Sequence, residues 1–516
     1  MSAEAEQPRK SALKTPDWAW FAAFAALVVL TRLWFLNLET IDWDESTYML
    51  RGANLWDPEA GEIDVWNFRP PAFTGILWLL STIFGRSLLA VRGFGGVCIW
   101  IAACFTFLAC RTVLGTQSAG LAVCALIAAL SAVLLQPTLT EHFVIACLAA
   151  TLWLLLIKPG ALWSAFLAGI LMSLATLTRM NLAYAVLALG GYYLVFLFRR
   201  TGPIHRLAVF AYSLGGALPL IALAIAYWLS GAIDRFFLFV FGILLSYAFD
   251  QMPLSAVLHQ QAINWVNYVT QDPAIYGSLT VFLIAGALMV LWQLTRKWRG
   301  AVGPAPDKSR LTLIMVILGL PVLISILTSG APYAKYWVQM FPFAAFLVAL
   351  VLATAPAGWP ARFLQVVIVG MVAIPTLQYG AGAVHLASHW SDLTEAHTIR
   401  RAADRITANR RPGDRVYAMQ TSLILWYLGD RPINPFVSHP PDILKDPIMK
   451  PLIAAGLAQE DEFAQLIASR PRYIVKQEGP VEYLHGRPEE ALLDEALSRY
   501  YELLFTEGAV EVYRLR

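Results

Sequence analysis

The stretch TIDWDESTYML, residues 40–50, sets three carboxylates, Asp42, Asp44 and Glu45, just after the first long apolar run of the chain. A carboxylate held within hydrogen-bond reach of a hydroxyl and kept from water can act as a general base. Asp44 and Tyr48 stand four residues apart and share a helix face if the stretch is helical, whereas Asp42 would lie elsewhere. The same pattern also suits a purely structural part, with Asp42 or Asp44 capping a helix over 45–55. Other polar residues fall at the edges of apolar runs: Arg69 before two prolines in WNFRPPAF, Glu141 and His142 in LTEHF, Arg179 in LTRMN, and Lys335 with Tyr336 in GAPYAKYW. Taken singly, such a base reads as an interfacial residue that snorkels to the headgroups. Taken with the acids in one plane, these bases suit an anionic lipid headgroup such as a phosphate.

Other chemistries lack their signatures. There is no GxxxxGK[ST], GxGxxG or HExxH pattern. The nearest approach to a metal site is His385 and His389, with Asp392 and His397 following; without a general-base glutamate, a polar interfacial surface is the better reading, and no metal is assigned. The five cysteines, Cys98, Cys104, Cys110, Cys124 and Cys147, lie inside apolar runs without paired spacing, which speaks against both disulfides and zinc.

What must position these residues is a membrane domain. Of the 516 residues 58% are hydrophobic and 14% charged, and the mean hydropathy is +0.59, far outside the range of a soluble protein. The net charge of +3 gives no case for nucleic-acid binding. Runs at 18–36, 93–110, 118–136, 142–157, 161–178, 182–198, 207–229, 275–295, 311–328, 336–354 and 363–380 are long enough, or nearly so, to cross about 30 Å of hydrocarbon. The first has no cleavage pattern and reads as a retained helix. A shorter run, 72–84, suits a re-entrant or interfacial segment. The basic groups Arg9/Lys10/Lys14, Arg199/Arg200/Arg206 and Arg296/Lys297/Arg299/Lys308/Arg310 are expected to be cytoplasmic. The acidic loop 37–70 and the region beyond about 380 then come out on the opposite face, and the parity closes only if 72–84 does not cross by itself. Residues 39–64 hold eight acids and one base, an excess that orientation does not require. The apolar segment 235–249 suits a helix in the outer interface, on the path of a lipid substrate. Residues 1–390 thus form the membrane domain. From 391 to 516, β-rich runs alternate with helical patterns at 391–408, 458–469 and 487–499, as in a small soluble α/β domain.

These residues resemble the GT-C membrane glycosyltransferases, in the branch that contains the protein O-mannosyltransferases and the lipid A aminoarabinose transferase. The resemblance runs through DWDESTY, RPPAFTGILWLLSTIFGRSLLAVR, PTLTEHF, LAGILMSLATLTRMNL, YAKYWVQMFPF and the closing RPRYIVK and GAVEVYRLR. Its most specific part is Asp-Glu-x-x-Tyr followed about twenty residues on by a base and proline. It implies a polytopic fold of about 11–13 spans and inverting transfer of a sugar from a polyprenyl-phosphate carrier to a hydroxyl on a glycolipid, polysaccharide or protein. It places the protein in a bacterial inner membrane, with its site on the periplasmic face. By motif position Asp44 is similar to the general base, Arg69 to the base that holds the donor phosphate, and Glu141 to a second outer acid. Glu45, Tyr48, His142, Arg179, Lys335 and Tyr336 complete the expected substrate-binding set. Two positions depart from the lipid A enzyme, Thr47 for an arginine and Phe68 for a glutamate. The first leaves Arg179 or Lys335 to hold the phosphate; the second removes a metal ligand, so no cofactor is implied and a divalent metal is not indicated. The competing functions are a flippase or transporter for polyprenyl-linked glycans, which would need charges deep within spans and often shows repeated halves, and a non-catalytic binding subunit.

Overall fold

The computed structural model describes residues 16–57, 62–63, 71–158, 160–198, 206–243, 246, 252–298, 306–328, 333–390, 397–434 and 439–516. Among them, seven helices are long and apolar enough to cross a membrane: Asp17–Asn37, Leu88–Leu114, Thr140–Ile157, Ala208–Leu229, Pro273–Thr295, Ala334–Thr354 and Trp359–Ser388. Five shorter apolar helices accompany them, Ala72–Phe84, Thr116–Ala129, Leu162–Thr176, Met180–Val195 and Leu311–Leu327. Each apolar run read as a span therefore overlaps one of these helices.

The expected span 118–136 stops early, at Ala129. Pro137 lies ahead and disfavours helix at the residue before it. The carbonyls of Leu135, Gln136 and Pro137 accept instead from the Arg32 guanidinium, which pulls this corner against the first helix. The helix Ala72–Phe84 has 13 residues. At 1.5 Å per residue it covers roughly 20 Å, too little to cross alone. Phe73, Thr74 and Leu77 are its buried face, while Trp78, Leu79, Ile83 and Phe84 are exposed, so it lies along the bundle with one side free for lipid. The acidic helix Trp43–Ala53 rests on it at Gly52, where an added Cβ would come within 2.5 Å of the Leu77 Cβ.

The tightest helix crossing joins Leu162–Thr176 to Ala208–Leu229. A Cβ on Gly169 would collide with the Tyr212 carbonyl, and one on Gly215 with the Phe166 carbonyl, so the two backbones touch. Small residues at such crossings permit close packing where lipid supplies no hydrophobic drive. Gly169→Ala is expected to lower stability by about 1–3 kcal/mol by forcing the pair apart. Unfolding in mixed micelles with SDS should report the loss, and an unchanged midpoint would refute the contact.

The C-terminal region forms a four-stranded sheet. Its strands, numbered after a small antiparallel pair in the acidic loop (β1 Trp56–Asp57, β2 Glu62–Ile63), are β3 Val416–Ala418, β4 Tyr473–Gln477, β5 Tyr501–Glu507 and β6 Val510–Leu515, in the order β3-β4-β6-β5. β3 and β4 are parallel, with Val416 opposite Tyr473, and the β4–β6 and β6–β5 pairs are antiparallel. The helices Thr398–Asn409, Glu462–Ala468 and Pro488–Tyr500 match the helical patterns, residues 391–396 being outside the described set. The helices Ser422–Leu428, Asp446–Ala454 and Leu254–Gln271 are additions to the reading of the sequence.

The sheet region and the membrane bundle share apolar cores. Met49, Leu50, Phe73 and Leu77 cluster with Ile399, Leu423, Leu425 and Trp426. The Glu39 carboxylate accepts from the Ile399 and Arg400 amides, at 2.7 and 3.0 Å, and so caps the helix Thr398–Asn409 from outside it. The His397 Nε2 contacts the Leu36 carbonyl oxygen at 3.0 Å. On another side, Ile448, Met449 and Leu452 cover Phe236, Phe239, Val240 and Ile243. The described part of the expected interfacial segment 235–249 thus has a protein partner along one face, with Phe237 left exposed; 244–245 and 247–249 are outside the described set.

Candidate active site

The helix Trp43–Ala53 begins where Asp42, in extended conformation, accepts the Asp44 main-chain N–H at 2.8 Å on its carboxylate. The structural reading of Asp42 as an N-cap is therefore realised. One expectation is corrected: Asp42 does not lie apart from Asp44. An N-cap side chain folds back over the first turn, so both carboxylates face the same way, and Lys335 Nζ lies 2.7 Å from Asp42 Oδ2 and 2.6 Å from Asp44 Oδ2.

Lys335 is held by the turn Ala334–Met340, which leads into the helix Phe341–Thr354 with Pro342 in its first turn. Its ammonium also stands 5.6 Å from the Tyr333 ring centre. Arg179, at the head of the turn Met180–Leu182, forms an ion pair with Glu141 and lies 4.2 Å over the Tyr336 ring. Glu141 is fixed in turn by the Thr140 hydroxyl, which donates to it at 2.9 Å. Asn181 ties the two turns together by donating to Gln339 Oε1 at 3.0 Å and to Ser325 at 2.9 Å. Asp42, Asp44, Lys335, Arg179 and Glu141 therefore form one set of alternating charges where these elements meet, with the Tyr336 ring against Arg179.

Other expected residues are placed differently. Glu45, at the next helical position, turns inward and pairs with Arg92, both nearly inaccessible. The Tyr48 ring packs edge-on against Phe73, with centroids 5.5 Å apart, inside the core under the acidic helix. His142 is fully buried, and its Nδ1 accepts the Leu139 N–H at 3.3 Å, closing the start of the helix Thr140–Ile157. Arg69 lies outside the described residues, as do Phe68 and Asp392. The His385 and His389 rings lie 4.3 Å apart and tilted, while His397 points to Leu36; among the described residues no group of three or more His, Cys, Asp or Glu could hold a metal ion.

Two residues that the sequence reading missed, His439 and Asp442, come from the C-terminal domain. The turn Pro440–Leu444 carries His439 to within 3.8 Å of Asp44 Oδ1, on Nε2, and within 3.7 Å of Asp442 on Nδ1. Asp442 is itself bound by Lys445 at 2.8 Å. The signal was the SHPPDILK stretch, where a histidine precedes two stiffening prolines and an acid follows at the third place. Nothing in one dimension joins it to residue 44.

No family model matches the sequence, and no curated protein matches it. Among solved structures the chain is similar to ArnT from Cupriavidus metallidurans bound to undecaprenyl phosphate, with a TM-score of 0.59 and 14% identity over 96% of this chain and 98% of that one. The apo state of the same protein gives 0.57 and 13% over the same shares. At that identity the likeness carries the fold alone: a polytopic α-helical GT-C fold with a C-terminal α/β unit, as the resemblance implied.

Proposed function

We propose that this chain is an inverting glycosyltransferase, which moves a hexose or pentose from a polyprenyl-phosphate donor to a hydroxyl of a glycolipid, polysaccharide or protein on the periplasmic face of a bacterial inner membrane. The observation that carries the reading is the pair Asp42 and Asp44 held on Lys335, next to Arg179 and Glu141, at the head of an apolar bundle. The undecaprenyl phosphate bound by the similar ArnT structure supports a lipid-phosphate donor. Residues 1–390 would carry the chemistry, and 391–516 would cover the site and help to select the acceptor.

The roles follow from charge. A departing lipid phosphate needs its developing negative charge stabilised, and cations at a site of low dielectric do this without reorganisation. Lys335 and Arg179, with Arg69, are the donor-phosphate ligands. Asp44 takes the proton of the acceptor hydroxyl as its oxygen attacks the anomeric carbon from the side opposite the phosphate. A single displacement inverts the configuration. While Lys335 clamps Asp44 the carboxylate is a weak base. A donor phosphate that competes for the ammonium frees Asp44, so basicity appears when the donor is present.

The test is transfer by purified protein in nanodiscs, with a panel of radiolabelled polyprenyl-phosphate hexoses and pentoses and with membrane lipid, polysaccharide and peptide acceptors. Labelled product of inverted anomeric configuration is expected. Binding of polyprenyl phosphate without transfer from any donor would overturn the reading. Lys335→Met is expected to lower kcat/KM about 10- to 100-fold, mostly through donor KM, the measure of one lost charge-assisted hydrogen bond. Lys335→Arg should recover part of it; a KM unmoved by Lys335→Met would remove Lys335 from the phosphate site.

A further inference from the structure

The C-terminal domain reaches the proposed base with the His439 side chain. The His439 ring lies between two carboxylates, Asp44 on the Nε2 side and Asp442 on the Nδ1 side, at 3.8 and 3.7 Å. Its position is fixed from several directions. Pro440 starts the turn, the Asp442 N–H donates to the His439 carbonyl at 2.9 Å, and the Trp43 ring lies 6.0 Å away, braced by Tyr483. The segment that follows is anchored by Ile448, Met449 and Leu452 against Phe236 and Phe239. Asp442 is 4% exposed, so its charge acts on the ring with little screening.

We propose that His439 is a proton-relay residue, which takes from Asp44 the proton that Asp44 removes from the acceptor hydroxyl. The inference rests on the proposed transferase reading and extends it. As the acceptor oxygen bonds to the anomeric carbon, the bond from that carbon to the phosphate oxygen breaks and its electron pair leaves with the phosphate. The hydroxyl proton passes to Asp44 Oδ1, then to the lone pair on His439 Nε2. The imidazolium that results is held by Asp442 and loses its proton to water. An acid paired with Lys335 and facing a histidine is thereby reset for the next acceptor. The geometry is that of a base oriented by a third group, with contacts still loose as in sites before substrate binds. It also couples the domains, because the site is incomplete until 439–445 is seated.

Among the described residues, the charged groups around the ring are Asp44, with Lys335 on its other oxygen, Asp442, with Lys445 on it, and Arg51, which is coupled to both acids. Burial pushes the Arg51 pKa down to about 10, against the charges of Asp442 and Asp44, which favour its protonated form. His439 must be neutral to accept a proton, so kcat should fall as pH drops through its titration.

Two measurements decide the matter. The first needs no substrate: the 13Cε1 signal of His439, one of eight histidines, is assigned by its loss in His439→Gln and titrated in wild type, Asp44→Asn and Asp442→Asn. Each acid-to-amide change is expected to lower the midpoint by about one unit, since a neighbouring negative charge favours the imidazolium. An unmoved midpoint in both would overturn the relay. The second is transfer by His439→Ala and His439→Gln, with donor KM and pH profile. A 10- to 100-fold fall in kcat is expected with KM within about twofold, loss of the acidic limb, and partial rescue of His439→Ala by added imidazole. Wild-type kcat and pH profile in both variants, with Asp44→Asn inactive, would sink the relay and leave the transferase standing. Wild-type turnover by Asp44→Asn would remove both.

Discussion

Asp44→Asn is expected to cut transfer about 10³-fold or more while leaving the protein folded and able to bind donor, which makes it the change with the largest effect on activity. Removal of a general base costs typically 10²–10⁴-fold. The amide matches the carboxylate in shape, and the cap of the helix survives, because Asp42 accepts the main-chain N–H of residue 44 and not its side chain. Lys335 keeps Asp42 as a partner. Asp42→Asn supplies the comparison. Asparagine is as good an N-cap as aspartate, so the helix should hold while one of the two carboxylates on Lys335 loses its charge. If chemistry resides in Asp44 and Asp42 only sets the local field, the Asp42 variant should lose at most about tenfold, the scale of one charge interaction in a partly exposed site. Single-turnover transfer with radiolabelled donor, beside a melting curve and a donor-binding isotherm, measures all three quantities. Equal losses in the two variants would assign Asp44 an electrostatic part only, and wild-type turnover by Asp44→Asn would end the catalytic assignment.

The contrast between these neighbours also explains what was legible in one dimension. Hydropathy located the helices, because a segment facing lipid must be apolar along its length and must satisfy its own backbone. The acidic cluster was legible as well, since eight acids and one base beside a membrane need a reason. The direction in which each acid points was not. Helical spacing separates Asp42 from Asp44, yet Asp42 is the cap and its extended backbone brings the two together; spacing places Glu45 beside Asp44, yet one helical step turns it into the core. Residues that arrive from far along the chain, such as His439 and Arg92, were beyond the reach of local pattern. Arg92 stands at the edge of an apolar run, where a single base is ordinarily a snorkelling one.

Breaking the Glu45–Arg92 pair is the change expected to cost most in stability. The Arg92 guanidinium spends its donors on the Glu45 carboxylate, at 2.7 and 3.2 Å, and on the carbonyls of Phe35, Leu38 and Glu39, at 2.6, 2.5 and 3.1 Å. Glu45 accepts besides from the Thr138 N–H at 2.6 Å. One ion pair thus ties the end of the first helix, the acidic helix, the span Leu88–Leu114 and the corner before Glu141, which are the elements that set the site. Arg92→Met leaves a buried carboxylate without its cation and strips three carbonyls of a donor, and is expected to cost about 3–5 kcal/mol. Glu45→Gln keeps a side chain of the same shape and leaves the carbonyls bonded to Arg92, so its cost should be smaller, about 2–3 kcal/mol. In the double variant the two uncompensated charges vanish together, so the loss should be less than the sum of the single losses, by about 1–3 kcal/mol. Unfolding of the four proteins in mixed micelles gives the cycle. The same series judges Glu45 as a substrate ligand, the part expected of it from the motif. A ligand carboxylate changed to an amide would raise KM and leave the unfolding midpoint in place; a structural one lowers the midpoint, and the protein that remains folded binds donor as before.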